Sequence, residues 1–599
     1  MRKNKILPIL CFVVLLSLVL SACSLIDDVF GADEETPTSS DTTTDPTTKI
    51  FTINHTFSGG DNQVLGVNNG DSASFKYILD LGSNTKDVYF IITNTDLENT
   101  ITDDIAISIN SNNIEQTSQN KIGNQAYSFA DNQIKIFKDI PAATSFNNKK
   151  HDFKTNPRLL KSSQRLKPQK NSVGESLVFN VDDPNRTISA TLRGQVSNVA
   201  TGFGKNKTLN IWVENDFWTD SDENQLVNQS MVNQMAEKFL KDGLNNDIYD
   251  WVSSIYGEEW GQVNSSDVIS ETNQIDILLF DIDNDKKTEG SLVLGYFWAK
   301  DNFLASIQTT SNQRIIFYID ALLFATKDIN DDDGVWELSD YWPSEMISTL
   351  AHEFQHMINF YQKSVIQLKT PGSWINEMAS MMAEDFIANK MEMDGPRGVG
   401  HNDKTSGSPN NKKGRLPLFN YIYDGYSVTK WENLLQNYAM SYSLGAYLAR
   451  NYGGASLFTN IVQNSYEEKE SITRAIKSEG SSVSFETILQ NWAAAVLLSD
   501  RTSPNGDFYK FNSGEWFTST SGGKSYQIGS INFFNYRNDI NSTQYVNGPL
   551  IYKPTSTNYS KDFPLATNRF FLLGKGLTGR VQCDVDLKNN KLKMQVVVK

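Results

Sequence analysis

The chain has 599 residues, of which 39% are hydrophobic and 21% charged, enough for two or three domains whose cores need no disulfide staples. A net charge of -16 excludes a general nucleic-acid binder, which would carry a basic face. Only Cys11, Cys23 and Cys583 are present, which excludes a disulfide scaffold.

Arg2, Lys3 and Lys5 precede an apolar run over 6–20, followed by Leu20-Ser21-Ala22-Cys23. The run is short for a membrane span and ends in small residues, as an export signal does. Leu-Ser-Ala-Cys resembles the bacterial lipoprotein box. That resemblance implies loss of residues 1–22, acylation of Cys23, and a lipid anchor in the cell membrane or outer membrane, with surface exposure one of the positions left open. A plain secretory signal with an incidental cysteine is the other reading. Residues 23–48 are dominated by Asp, Glu, Thr, Ser and Pro, with little to bury, and are predicted to be a disordered tether.

Short alternating runs such as 74–79 and 88–92, separated by Gly, Asn and Asp, predict a β-sandwich-like domain over 49–145. Residues 146–175 gather Lys149, Lys150, Lys154, Arg158, Lys161, Arg165, Lys167 and Lys170 and read as a basic linker. A cut there would make 49–145 a removable pro-domain; we favour a permanent spacer.

From 176 to 500 the pattern is mixed α+β. Strands are expected within 176–213, at 275–280, 291–297 and 315–319, with a helix over 228–241. Two acidic loops, 281–285 and 328–334, suggest calcium by composition. Both miss the glycine and glutamate of an EF-hand, with Lys286 and Leu292 at those positions in the first and Asp333 and Ser339 in the second. Solvated turns are the simpler reading, with a calcium loop of another kind the alternative.

His352-Glu353-Phe354-Gln355-His356 follows. On a helix, residues i and i+4 share a face, so both imidazoles can grip one zinc ion while Glu353 acts on a water beside it. Met346, Ile347, Leu350, Phe354, Met357 and Ile358 supply the apolar stripe of such a helix, and Pro343 stands where a first turn tolerates it. The third ligand is expected from Glu377, on a second helix running from Trp374 to Lys390, where burying a carboxylate makes sense if it binds a cation. His401, in a glycine-flanked loop, is the competitor and reads better as a surface residue.

The stretch 349–360, followed by Trp374-Ile375-Asn376-Glu377, resembles the hyicolysin-type neutral zinc metallopeptidases, within the gluzincin group whose third ligand is a downstream glutamate. The likeness runs over about 205–455 and includes Thr208-Leu209-Asn210-Ile211-Trp212-Val213. It implies a zincin-type α+β domain and a zinc endopeptidase acting on proteins or peptides, with His352, His356 and Glu377 as ligands and Glu353 as general base. Relatives in the wider group often carry an Asp four residues after the glutamate ligand; here that position is Met381. Glu384, two turns beyond Glu377, is the substitute candidate for orienting a histidine. For an oxyanion donor, the helix predicted over 434–452 offers Tyr438, Tyr442 and Tyr447, and Tyr442 is chosen.

After about Ser499 the helical pattern gives way to strand-like runs at 569–573, 581–585 and 593–598, predicting a C-terminal β-rich module over 501–599. The expected protein is a multidomain α+β monomer anchored to a membrane through Cys23. The rival reading is a non-catalytic surface lipoprotein, an adhesin or polymer binder, with a degenerate metal site.

Overall fold

Strand Lys86–Asn94 joins the two ends of the chain. Its uninterrupted run Val88-Tyr89-Phe90-Ile91-Ile92 is buried on both faces: Val88, Phe90 and Ile92 enter one core, while Tyr89 and Ile91 enter another. Side chains alternate across a strand, so a continuous apolar run marks a strand covered on both sides. In the computed structural model it pairs antiparallel with Asn568–Leu577 on one edge and Leu592–Val598 on the other. The structure describes residues 51–68, 72–103, 105–110, 135–154, 171–183, 185–221, 226–243, 246–284, 291–328, 335–404, 407, 414–502, 508–539, 545–553 and 562–599.

These pairings build a five-stranded sheet in the order Ile551–Tyr552, Asn568–Leu577, Lys86–Asn94, Leu592–Val598, Gln63–Val67. A four-stranded sheet, Phe51–Thr56, Ser74–Asp80, Arg580–Asp586, Ala106–Asn110, shares its core through Phe75, Tyr77, Leu79, Val581, Cys583 and Val585. Segments 49–145 and 501–599, read separately from the sequence, thus contribute strands to the same sandwich. Alternation along a strand reveals which face is buried but not which distant strand lies beside it. Removing all of 49–145 as a pro-domain would tear strands from both sheets.

The second body is built on a six-stranded sheet in the order Gly295–Phe297, Ile316–Asp320, Gln274–Phe280, Asn206–Glu214, Thr187–Ala200, Ser176–Asn180. Gln274–Phe280 runs parallel to both neighbours, with Ile275, Ile277 and Leu279 in one core and Leu278 and Phe280 in another. The strand expected over 291–297 is broken at Leu294 into Ser291–Val293 and Gly295–Phe297, which pair with different partners. Gly295 is required there: a Cβ would lie 2.7 Å from the Tyr318 carbonyl oxygen and 2.8 Å from Thr349 on the underlying helix.

Helix Gln229–Phe239, capped by the Asn228 side chain, matches the helix expected near 228–241. Helix Tyr341–Asn359 runs on as a π-helical stretch, Phe360–Ile366, and packs against helix Ser373–Met391. Helix Leu435–Asn451 crosses the latter closely at Gly445, where a Cβ would meet Met378 at 2.8 Å and Met382 at 2.9 Å. Among the described residues no helix is long and apolar enough to cross a membrane. Residues 1–22, Cys23, the tether, residues 155–170 of the basic linker, Asp285 of the first acidic loop and residues 329–334 of the second lie outside the described residues.

Candidate metal centre

Every residue of helix Tyr341–Asn359 from Met346 onward is buried, so its polar side chains sit in the interior and must be paired there. His352 and His356 fall one turn apart, with ring centroids 4.7 Å from each other. Glu377, near the N-terminal end of the second helix, brings Oε2 to 3.2 Å from His352 Nε2 and 3.6 Å from His356 Nε2. These three offer ligand atoms all within 4.8 Å of one another, the only such group of His, Cys, Asp and Glu among the described residues.

The opposite ring nitrogens are held from behind. His352 Nδ1 lies 2.8 Å from Glu384 Oε1, and Ser348 Oγ donates to Glu384 Oε2 at 2.5 Å. His356 Nδ1 lies 3.1 Å from Asn376 Oδ1 and 3.0 Å from Ser380 Oγ. With each Nδ1 engaged, both Nε2 atoms turn toward Glu377, and His356 Nε2 is buried without a hydrogen-bond partner among the described residues. Two imidazole nitrogens and one carboxylate oxygen form a donor set that suits zinc and leaves a coordination position open.

Electrostatics agree with a cation-ready site. Burial opposes ionisation of Glu377, but the charges and hydrogen bonds of His356 and His352 outweigh it and pull its carboxyl down to about 2. Burial likewise opposes ionisation of Glu384, and Lys138 with His352 overcomes it, again to about 2. Glu353 is the opposite case: burial, then the charges of Asp139 and Glu377, push its carboxyl well above the ordinary range. Both its oxygens are buried and have no hydrogen-bond partner among the described residues.

Tyr442, the residue chosen for the oxyanion, stands away from this cluster; its hydroxyl donates to Asp385 Oδ2 at 3.2 Å, beside Arg450. One turn earlier, Tyr438 presents a buried hydroxyl with no hydrogen-bond partner among the described residues, its pKa raised well above the usual value by burial and by the charges of Glu377 and Asp139. Helical periodicity puts both tyrosines on one stripe and cannot tell which turn crosses the centre. His401 lies in the loop after the second helix, its carbonyl accepting from Asn389, and takes no part in the cluster. In the first acidic loop, Asp283 caps onto Asp182 through its N–H, and no group of acidic ligands is gathered among the described residues.

Reading the sequence missed Asn376, Ser380 and the pair Lys138 and Asp139. Asn376 stands beside Glu377 and could have been suspected from that position alone. Lys138 sits some 240 residues before Glu384, yet its Nζ is 2.5 Å from Glu384 Oε2, with both side chains buried. No local signal marks it.

A family model described as Peptidase M30 matches residues 183–519. Neutral metalloprotease ShpI of Staphylococcus hyicus is 28% identical over 307 residues, 50% of this chain and 59% of that protein. The chain therefore covers less than two thirds of that relative's length. The matched region holds the whole His352, His356, Glu377 cluster together with Glu353, Glu384 and Tyr438, and extends over more than half of the sequence. On this footing the chain belongs to the peptidase M30 family.

Proposed function

We propose that the protein is a zinc-dependent endopeptidase acting on proteins at or outside the cell envelope. The observation that carries the reading is the meeting of His352, His356 and Glu377 within 4.8 Å in a buried interior. Removing an ionised carboxylate from water costs on the order of several kcal/mol, and a bound divalent cation offsets it. Zinc, when bound, supplies a Lewis acid for the scissile carbonyl and lowers the pKa of water.

The residues around it divide the remaining work. Glu384 and Asn376 fix the ring orientations of His352 and His356. Glu353 accepts the proton of the attacking water and passes it to the departing amine. Tyr438 replaces Tyr442 as the donor to the oxygen that gains charge, because its hydroxyl has no partner among the described residues while that of Tyr442 is spent on Asp385. An anchored position at the membrane rests on Leu20-Ser21-Ala22-Cys23 and acylation of Cys23. Calcium has no support from the described residues.

The test is casein digestion by the purified chain with metal analysis alongside. The proposal expects one zinc per chain, turnover that stops with a chelator and returns with zinc, and no turnover by Glu353→Gln despite its zinc. Chelator-resistant digestion, or a Glu353→Gln variant as active as the parent, would refute it.

A further inference from the structure

The catalytic centre is sealed. Glu353 and His356 Nε2 are out of contact with solvent and have no hydrogen-bond partner among the described residues, whereas a peptidase must bring water and an extended peptide to these very atoms. From outside the matched family region, the segment 135–148 packs against residues around the centre.

Its backbone runs as a strand, Lys135–Phe137, parallel to Ser291–Val293 and beside the split edge strand. The Phe137 carbonyl accepts from the Leu294 N–H at 2.9 Å, and the Phe137 ring stands 6.4 Å from that of Tyr438. Lys138 reaches Glu384. Asp139 is buried, its carboxylate accepting from the Ile140 N–H at 2.8 Å and from Thr144 Oγ1 at 2.7 Å. After the short helix Pro141–Asn147, Asn147 clamps the end of the edge strand, donating to the Phe297 carbonyl at 2.6 Å and accepting from the Ala299 N–H at 2.8 Å. Asn148 Oδ1 then accepts from Asn376 at 2.9 Å, the residue that holds His356. One stretch of fourteen residues thus touches Tyr438, Glu384 and Asn376.

We propose that residues 135–148 are an internal inhibitory segment, seated across the catalytic centre along the sheet edge and displaced before a peptide can enter. The inference rests on the peptidase reading above. Three features favour a displaceable plug over permanent scaffold. An extended segment on a sheet edge occupies the kind of surface to which peptide chains bind by adding a strand. Its own elements are only a three-residue strand and a seven-residue helix, so moving it breaks few backbone hydrogen bonds, while Ile140 and Ala143 must leave an apolar core. And its side chains contact Tyr438, Glu384 and Asn376, which surround a proposed base whose oxygens are out of contact with solvent. The sandwich need not leave with it, because strands 51–110 are locked to those of 568–598.

The experiment locks the segment in place in the full chain. Phe137 and Val293 are partners in the parallel register, so Phe137→Cys with Val293→Cys places two thiols on adjacent strands. Oxidised, this variant should bind zinc but hardly cleave a short fluorogenic peptide; reduced with a phosphine, it should turn over about tenfold faster or more, as expected when an open state is a minor one. Amide exchange over 137–148 should rise in the same step, whether or not zinc is present. As a second variant, Phe137→Ala with Asp139→Ala loosens the segment without touching a proposed ligand and should raise turnover above the parent's. Equal turnover in the locked and unlocked forms, or a fall in the loosened variant, overturns the inference and leaves the peptidase reading standing. No turnover by any form overturns both.

Discussion

At the scale of the residue, the two buried glutamates of the motif region sit in opposite environments. Glu377 lies between two imidazoles and is held ionised, whereas Glu353 lies one residue past His352 with no hydrogen-bond partner among the described residues. Glu353→Gln should therefore keep its zinc and lose turnover by on the order of 10²–10⁴-fold, the range for a general base, as read by metal analysis and peptide hydrolysis. Glu377→Ala should instead lose the metal, with zinc content falling at the same free-zinc concentration. Glu384→Gln removes the carboxylate behind His352 and is expected to weaken zinc binding about 10–100-fold, measured by competition with a chelator. Tyr438→Phe should cost more in kcat than Tyr442→Phe; the reverse order would return the oxyanion role to Tyr442. His352, Glu353, His356 and Glu377 were legible because spacing on two helices converts directly into shared faces. Glu384 was legible for the same reason, two turns from Glu377. Tyr442 was chosen over Tyr438 because periodicity fixes the stripe and leaves the depth along the helix open. Lys138 and Asp139 were invisible, since only tertiary packing brings them to the site.

At the scale of the element, the centre depends on how closely three helices and one edge strand approach. Helix Tyr341–Asn359 carries both histidines, Ser373–Met391 carries Glu377, Asn376, Ser380 and Glu384, and Leu435–Asn451 brings Tyr438 over the top. Gly445 and Gly295 are the contact points that make this approach possible, and each would place a Cβ under 3 Å from a neighbour. Gly295→Val is expected to cost about 1–3 kcal/mol through overpacking, because the obstructing atom includes a backbone carbonyl that cannot swing aside. Denaturant unfolding checks this, and an unchanged midpoint would show that the edge strand is free to shift. The sequence located these helices and strands well, because apolar periodicity is local. It merged 291–297 into one strand because the break at Leu294 follows from two different partners, one of them the segment 135–137.

At the scale of the whole molecule, strands within 51–110 and 551–598 belong to the same two sheets. Strand Lys86–Asn94 is sandwiched between strands from the C-terminal hundred residues and buries its other face, through Tyr89 and Ile91, in the core of the peptidase body. Deleting 592–599 should expose both the sandwich core and that shared face. The truncated chain is expected in aggregates, and a soluble monomer with unchanged circular dichroism would contradict the arrangement. Reading 49–145 and 501–599 as separate modules followed from sequence distance, which says nothing about sheet neighbours. The central claim is that one zinc ion sits among His352, His356 and Glu377. Anomalous diffraction at the zinc edge from crystals of the full chain tests it most directly. The account predicts a single strong peak within bonding reach of both Nε2 atoms and Glu377 Oε2, absent in Glu377→Ala; a zinc-soaked crystal with no peak there, or with its metal bound elsewhere, would contradict it.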